Sequence, residues 1–425
     1  MSASIWRRSA FHSQGLLGQQ PLWRLVAAMV VALAFPAQAE QPAVAVTGDG
    51  RLAYAQDGRG NQIVDFSHCG YAGSDRSIPR PPVRVVVSPG AGDDLAPIQA
   101  ALDYVAALPI GDDGLRGAVR LAAGEFQVSG QIRINASGVV LQGSGAMAQG
   151  TVIRATGVDR RALISVAGTA SPVLLDQPAG IAVADDYVPV GSRELLLQDA
   201  RSLAVGDQVF VTRPSTAAWI ESVGGVGWKP GTRDLRWDRV VTAINGNRIT
   251  LDGPLTTALD AQYGGGTVSR YRWPDRVSEV GVEDVVLVSD CDQDRPLDED
   301  HAWYGVVIDR VSDAWIRRVV FRHFAGGAVH LGAETKSILV EDCISEAPVS
   351  EVGGYRRHTY FTLGQTALFH RCWSESGRHD FSVGHCAAGP NAFVECRAKN
   401  ALGESGPIES WASGVLYDNV RIDGN

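Results

Sequence analysis

Basic, imidazole and acidic side chains recur at similar places in the C-terminal third of this 425-residue sequence. The candidate catalytic residues are Arg357, His358, Arg378, His379 and Asp380. An arginine can hold a carboxylate through two parallel hydrogen bonds, and a histidine can accept a proton near neutral pH. These groups suit β-elimination of a uronate, in which the sugar carboxylate is neutralised and the C5 proton is removed. Arg357 or Arg378 would neutralise the carboxylate. His358 or His379 would take the proton.

Two carboxylates in the same region leave hydrolysis open as a second chemistry. Glycoside hydrolases use an acid and a base or nucleophile about 5–9.5 Å apart, and Asp380 and Glu409 fall on neighbouring repeats. Asp380 could instead orient His379 or bind the sugar. Such runs at turns can also merely satisfy turn carbonyls. A lyase is favoured, and a hydrolase and a non-catalytic glycan-binding protein are the alternatives.

Further polar and aromatic residues extend the predicted site towards substrate binding. They are Arg356, Tyr360, Glu409, Trp411, His301 and Trp303. An acidic loop from Asp290 to Asp300 enters near His301. Because it lacks the ordered spacing of an EF-hand, it is more typical of a solvated turn than of a calcium site. No metal ligand is predicted, and a divalent cation such as Ca²⁺ is left open as a cofactor.

Short β-rich runs at regular spacing must position these side chains. The runs end at Leu287, Phe321, Cys343, Cys372, Cys396 and Val420. Repeats of roughly 20–30 residues made only of strands and turns indicate stacked coils, each buried against its neighbours. The ends of successive runs should therefore lie level with one another. The three cysteines would then form an inward stack of small apolar side chains.

A second strand precedes each run and ends near a glycine. These strands are predicted at 306–308, 329–331, 360–363, 381–383 and 411–413. The coils align on Gly332, Gly364, Gly384 and Gly414. This alignment sets His358 beside Arg378, Tyr360 beside Asp380, and His379 beside Glu409. Neighbouring coils are about 4.8 Å apart, so the candidate residues should form one patch on one side of the column.

The N-terminal half predicts the start of the column and an interruption. Apolar residues at helical spacing follow Asp94, which is placed as an N-cap, and the helix would cover the open end of the first coil. Between 184 and 275 the pattern changes to short strands with a strong hairpin signal at Asn245-Gly246. We interpret this stretch as a small inserted β-domain. The tryptophans of this domain would either stack on sugar rings or fill its core. They are Trp219, Trp228, Trp237 and Trp273.

The first 39 residues are typical of a cleaved export signal. Arg24 precedes a short apolar run, and Ala37-Gln38-Ala39 has the form that a signal peptidase accepts. Removal of residues 1–39 takes away three arginines and no acids, so the net charge moves from −9 to −12. A chain this acidic is a poor general binder of nucleic acid or anionic membrane. We therefore expect a secreted or periplasmic monomer that acts on polysaccharide.

Several motifs carry a resemblance to a known family. They lie at 93–102, 121–126 and 141–145, and again at 298–303, 322–326, 377–381 and 389–393. On these motifs, which cover most of the mature chain, the sequence resembles the pectate-lyase-like superfamily, and within it a group of secreted β-helix proteins. The resemblance implies a right-handed parallel β-helix. The wider superfamily includes polysaccharide lyases, glycoside hydrolases and phage adhesins.

The sequence also departs from these relatives. Ile408-Glu409-Ser410 stands where they tend to carry two histidines and an arginine, and His358 stands where they tend to carry a tyrosine. Relatives continue through further coils, so the end at Asn425 suggests a C-terminal truncation.

The prediction is therefore an all-β, right-handed parallel β-helix with an N-terminal capping helix and an inserted β-domain. Its segments are the signal peptide 1–39, the cap and first coils 40–183, the inserted domain 184–275 and further coils 276–425. The sequence predicts a carbohydrate-active protein, and the favoured activity is that of a lyase that cleaves an acidic polysaccharide.

Overall fold

The computed structural model describes residues 43–147, 149–175 and 180–424. The predicted signal peptide, residues 1–39, lies outside the described residues. Within the described ranges, no helix is long and apolar enough to cross a membrane.

Parallel strands stack into a column through two sheets. The larger one, which we call the bent sheet, has 15 strands. They are Val83–Val87, Gly117–Leu121, Gly124–Val128, Val139–Gln142, Thr151–Ala155, Val277–Ser289, Val311–Arg322, Lys336–Glu341, Ile344–Glu346, Leu368–His370, Trp373–Glu375, Asn391–Val394, Arg397–Ala401, Val415–Asp418 and Arg421–Gly424. Each strand pairs in parallel with its equivalent in the next coil, as Val282 does with Ile316 and Ile316 with Val340.

The smaller sheet, which we call the front sheet, has seven strands. They are Ile132–Ile134, Ala162–Ala167, Tyr304–Asp309, Gly327–Leu331, His358–Thr362, His379–Gly384 and Gly406–Ile408. All their pairings are parallel and join successive coils. The predicted right-handed parallel β-helix is confirmed.

Most of the predicted register of the bent sheet holds. Leu287 pairs with Phe321 as predicted, and the pairings of Phe369 with Val340 and Phe393 set the three cysteines level with one another. The prediction that Phe321 lies level with Cys343 is wrong, because Phe321 pairs with Ser345 in the next coil. A slip of two residues keeps the same side chains pointing inward, so the apolar pattern of the sequence did not reveal it.

Ladders of like side chains fill the interior of the column. Cys343, Cys372 and Cys396 are buried free thiols, which confirms the predicted inward stack. Each sulfur faces a backbone carbonyl of the preceding coil, at 3.7, 3.5 and 3.4 Å respectively. Aromatic rings stack in the same way, with 4.7 Å between the ring centroids of Phe369 and Phe393.

The helix Leu95–Ala106 packs on the first coils and confirms the predicted helix. Asp94 precedes it, but its carboxylate accepts the backbone N–H groups of Gly90 at 2.7 Å and Gln127 at 3.0 Å. Asp94 therefore ties the loop to a coil, and Asp93 accepts the N–H of Leu95 at 3.1 Å in its place. That the helix covers the open end of the column stays a prediction.

An antiparallel sheet interrupts the coils, and we call residues 173–272 the insert. Its seven main strands are Val173–Leu174, Ile181–Ala182, Glu194–Leu196, Gln208–Arg213, Leu235–Asn245, Arg248–Leu251 and Thr267–Arg272. Asn245 pairs with Arg248, which confirms the predicted hairpin. Trp219 and Trp237 are buried, and Trp237 belongs to the core of the insert. The domain boundaries at 184 and 275 stay a prediction.

The remaining elements are short. Two antiparallel pairs join Val44–Val46 to Leu52–Tyr54, and Tyr187–Val188 to Leu259–Asp260. The helix Ala217–Ser222 and the 3-10 turns Tyr71–Ser74 and Ala261–Tyr263 complete the fold.

Candidate active site

The outer surface of the front sheet carries a continuous group of rings. We call it the histidine face, and it consists of His330, Tyr355, His358, Phe361, His379 and His385. Ring centroids are 4.7 Å apart for His358 and His379, 5.2 Å for His330 and Phe361, and 6.4 Å for Tyr355 and His385. Successive strands of a parallel sheet bring equivalent side chains together, so residues from three coils meet here.

The register of the front sheet differs by one residue from the predicted alignment. His358 lies beside His379, whereas the alignment set it beside Arg378. Tyr360 lies beside Phe381, and both rings are buried in the core of the column.

The last coil is also shifted. Gly384 pairs with Ile408, so the strand is Gly406–Ile408 and the predicted strand at 411–413 is wrong. The predicted alignment rests on Gly414, which lies in a turn, and turn lengths vary among the coils. Glu409 therefore lies level with His385, and it is not level with His379 as predicted.

His358 and His379 lie beneath the surface of the face. Their exposed fractions are 4% and 3%. A ring nitrogen of His358 lies 3.2 Å from the carbonyl oxygen of Gly354, and one of His379 lies 2.7 Å from that of Glu404. Burial, helped by the electrostatic influence of the neighbouring His379, lowers the pKa of His358 to about 4. His358 is therefore a neutral imidazole at pH 7.

The exposed chemistry of the face comes from Tyr355, His385 and Glu409. Nε2 of His385 lies 3.0 Å from Oε2 of Glu409. The Tyr355 hydroxyl donates to the same oxygen at 3.4 Å. A carboxylate thus orients an imidazole and a phenol that both reach solvent, which is an arrangement suited to proton transfer.

Arg378 stands beside this group. Its side chain is half-buried, and Nη1 donates to the carbonyl oxygen of Gly354 at 2.8 Å, one residue before Tyr355. A guanidinium has five N–H donors. Among the described residues this is the one hydrogen bond of its side chain, so Arg378 keeps donors for a carboxylate.

Two predicted site residues lie inside the column and cannot touch a polymer on its surface. Tyr360 is fully buried, and its hydroxyl donates to the carbonyl oxygen of Trp373 at 3.1 Å. Asp380 is also fully buried and accepts the hydroxyl of Ser374, and burial raises the pKa of Asp380. The predicted hydrolytic pair of Asp380 and Glu409 is therefore not formed.

The paired arginines are engaged in internal contacts. Arg357 is buried and donates to the carbonyl oxygen of Ser350 at 2.7 Å and to its hydroxyl at 3.0 Å. Arg356 donates to both carboxylate oxygens of Glu299. Arg357 is thus a structural residue of the turn, and its predicted role as a carboxylate ligand has no geometric basis.

His301 and Trp303 lie further along the column. His301 is fully buried, with one ring nitrogen 2.7 Å from the Ser289 hydroxyl and the other 3.1 Å from the carbonyl oxygen of Asp298. The guanidinium carbons of Arg160 and Arg356 lie 5.0 and 5.4 Å from the centroid of the Trp303 ring. His301 therefore fixes the acidic loop and does not reach the histidine face.

Trp411 packs against the insert. Its ring makes an edge contact with Trp219, with centroids 5.0 Å apart. His385 also lines a cavity of about 440 Å³ between the coils and the insert, together with Phe210 and Arg236. The insert thus forms one wall of a cleft that begins at the exposed histidine.

The acidic loop is organised by one arginine. Arg295 lies within 2.9 Å of Asp292, 2.6 Å of Asp298 and 3.3 Å of Asp300. Within the described ranges, no group of three or more His, Cys, Asp or Glu side chains is arranged to hold a metal ion.

Sequence reasoning missed Tyr355, His330 and His385. Tyr355 follows Gly353-Gly354, a flexible pair directly before the two arginines, and this was an available signal. His385 follows Gly384 with a left-handed backbone, φ 49°. The sequence pattern does not place His385 in a strand, because the preceding Gly384 is interpreted as the end of one.

Comparisons with known proteins give likenesses of fold. No family model and no curated protein matches this chain. Among solved structures, the tailspike protein gp49 from Pseudomonas phage LKA1 is 16% identical with a TM-score of 0.46, over 77% of this chain and 52% of that one. The chain thus spans about half the length of this tailspike.

Two further solved structures are similar at lower scores. The A-module of the Azotobacter vinelandii mannuronan C-5 epimerase AlgE4 is 14% identical with a TM-score of 0.32, over 80% of this chain and 70% of that one. The Erwinia carotovora polygalacturonase is 13% identical with a TM-score of 0.28, over 82% of both chains. The fold of the present chain, a column of stacked parallel coils, rests on its own strand pairings.

Proposed function

We propose that this protein is an exported carbohydrate-active enzyme that cleaves an acidic, uronate-containing polysaccharide by β-elimination. The observation that carries the proposal is the group of His385, Glu409 and Tyr355 on the exposed side of the histidine face. It combines a base, a carboxylate that orients the base, and a proton donor, with distances of 3.0 and 3.4 Å to the shared carboxylate oxygen.

His385 is the base in this mechanism. Glu409 orients the imidazole and stabilises the imidazolium that forms when His385 takes the proton from C5 of the uronate. As the bond between C4 and the glycosidic oxygen breaks, a double bond forms between C4 and C5. The Tyr355 hydroxyl gives its proton to the departing oxygen.

Arg378 neutralises the sugar carboxylate. Its guanidinium lies next to Tyr355 through the 2.8 Å bond to Gly354. Charge removal at the carboxylate makes the C5 proton easier to abstract, and a planar guanidinium can hold both carboxylate oxygens. The buried His358 lies against the ring of Tyr355, with 6.1 Å between the ring centroids, and neither His358 nor His379 contacts the substrate.

Hydrolysis is the second candidate, on a specific observation. Glu404 and Glu409 are both exposed carboxylates at the border of the histidine face, and Oε1 of Glu404 lies 3.9 Å from Nδ1 of His379. A pair of carboxylates on one surface is the minimum that a glycoside hydrolase requires.

One experiment separates the candidates. Purified protein from residue 40 onwards is incubated with a panel of acidic polysaccharides, and ultraviolet absorbance and reducing ends are followed together. A lyase produces an absorbing double bond along with each new reducing end. Reducing ends without absorbance would support hydrolysis, and neither signal with any polymer would overturn the enzyme proposal.

Matched variants then test the residues. We expect His385→Gln and Tyr355→Phe to lower kcat by ~100-fold or more, because each loses a proton-transfer group. His370→Gln is the control for the first, since His370 also pairs with a glutamate, Glu341, at 3.1 Å. Tyr104→Phe is the control for the second, because the exposed fractions of Tyr104 and Tyr355 are 57% and 56%. Full activity in both test variants would move the site elsewhere.

A further inference from the structure

A second cavity lies apart from the histidine face. It encloses about 400 Å³ where the insert, the N-terminal segment and the bent sheet meet. None of the histidine-face residues lines it. Its charged lining includes Asp238, Arg239, Asp252, Arg276, Asp313 and Lys336. The volume falls within the range of small-molecule sites, which is about 300–1,000 Å³.

One side of this cavity is a rigid ion network built on Asp238. Its carboxylate accepts Nη1 of Arg276 at 2.7 Å and the Tyr271 hydroxyl at 2.8 Å, and it lies 3.3 Å from Nζ of Lys336. Although burial raises it, these cations hold the pKa of Asp238 at about 2. The network therefore stays charged and fixed at every physiological pH.

Other charged groups of the lining are incompletely paired. Arg239 is 1% exposed, and its Nε has no hydrogen-bond partner among the described residues. Nε of Arg276 is in the same state. Asp313 is hydrogen-bonded to its neighbour Ser312 but forms no ion pair within the described part of the chain, and its backbone has a left-handed φ of 52°. Unpaired buried polar groups are costly, so a ligand that pairs with them is favoured here.

The charges of the lining indicate the ligand. The lining holds four cations and four acids, so the site has no strong net charge to attract an anion or a cation. The cations are Arg76, Arg239, Arg276 and Lys336, and the acids are Asp75, Asp238, Asp252 and Asp313. It offers donors and acceptors side by side. Vicinal hydroxyl groups both donate and accept hydrogen bonds, so they can satisfy the incompletely paired groups of both kinds.

We propose that this cavity binds one unit of a neutral sugar, held by Asp313 opposite the network of Asp238, Arg276 and Lys336. The site is separate from the histidine face and does not depend on its chemistry. A neutral unit of a mixed polysaccharide, or a neutral glycan to which the protein anchors, would occupy it.

Isothermal titration calorimetry with defined probes tests this inference. The probes are cellotetraose, mannotetraose and maltotetraose, with tetragalacturonate as the charged comparison. We expect at least one neutral tetrasaccharide to bind. Asp313→Asn should weaken its binding by ~10-fold or more, because a hydrogen bond to a charged group is lost. Asparagine tolerates the left-handed backbone, so this variant should fold.

Two further variants fix the location. Ser312→Tyr adds bulk at the cavity wall and should also weaken binding, whereas His385→Gln should leave it unchanged. The inference is overturned if no neutral probe binds, or if tetragalacturonate binds at this site as tightly. It is also overturned if binding responds to His385→Gln and to neither cavity variant. Circular dichroism confirms that each variant is folded.

Discussion

At the scale of single residues, burial decides which histidine can do chemistry. His358 and His379 are the two alternative bases that the sequence predicts, yet both are almost fully buried. A neutral imidazole with a pKa near 4, as in His358, cannot hold a proton taken from a sugar near neutral pH. His385 is exposed and has a carboxylate partner, so the role of base passes to a residue that no strand pattern marks.

The buried histidines make stability depend on pH. Burial lowers the pKa of His330 and of His358 from the ordinary 6.5 to about 4. As the pH falls below 6.5, these histidines become protonated in the unfolded chain, whereas in the folded protein they stay neutral down to about pH 4. The free energy of unfolding therefore decreases as the pH falls from 6.5 to about 4. Urea unfolding at about pH 7 and about pH 5 should therefore show a smaller free energy at the lower pH.

A double variant checks the cause. His330→Gln together with His358→Gln should show a smaller loss between the two pH values than the unchanged protein, and the half-exposed control His370→Gln should not. An equal loss in the double variant would show that other groups carry the pH dependence.

Asp380 gives a second prediction at this scale. Its Oδ2 has no hydrogen-bond partner among the described residues, and burial raises its pKa, so the charged form is unfavourable inside the column. We expect Asp380→Asn to retain activity and to raise the thermal midpoint or leave it unchanged. Near-complete loss of activity in a folded variant would return Asp380 to the catalytic residues.

At the scale of elements, each coil turns at a residue with left-handed backbone. In the bent sheet these residues are Arg318, Asp342, Arg371, Glu395 and Asn419, with φ between 52° and 55°. They are stacked one above another, because the strand residues directly before them pair in register from coil to coil. Only Asp342 and Asn419 are of residue types that adopt this conformation at low cost.

Glu395 allows a direct test of that strain. A left-handed residue costs roughly 1–2 kcal/mol, more for a β-branched side chain and less for asparagine. We expect Glu395→Asn to raise the free energy of unfolding and Glu395→Val to lower it, as measured by urea denaturation. Glu375→Asn and Glu375→Val, made in a strand of the same sheet, should show no such gain for asparagine.

The same elements show what the sequence could and could not predict. The cysteine stack and the register from Cys343 to Cys396 followed from strand ends that recur in every coil. The register between the coils of His358 and His379 was predicted wrongly by one residue, because it was aligned on glycines that are not equivalent. Gly384 ends its strand, whereas Gly364 lies beyond the end of the strand His358–Thr362. The alignment also placed Tyr360 and Asp380 on the surface, although both are buried. A separate shift in the last coil, where Gly384 pairs with Ile408, hid the partnership of His385 with Glu409.

At the scale of the whole molecule, the insert is fastened to the coils by buried polar contacts. Oε1 of Gln365 accepts the backbone N–H of Asp238 and Nη1 of Arg239, both at 3.0 Å. The indole N–H of Trp237 donates to the carbonyl oxygen of Ala388 at 3.0 Å. Because these contacts are buried and directional, both the cleft at His385 and the second cavity depend on one fixed placement of the insert.

The last prediction concerns whether the insert and the coils unfold together. Gln365→Ala leaves buried groups on the insert unpaired, at a cost of about 3 kcal/mol. If the insert and the coils unfold together, hydrogen exchange should show equal loss of protection in Leu235–Asn245 and in the coil strand His379–Gly384. Gln131→Ala, which removes one bond to Ala162 within the coils, should cost less. Lost protection confined to the insert would mean that it folds as an independent domain.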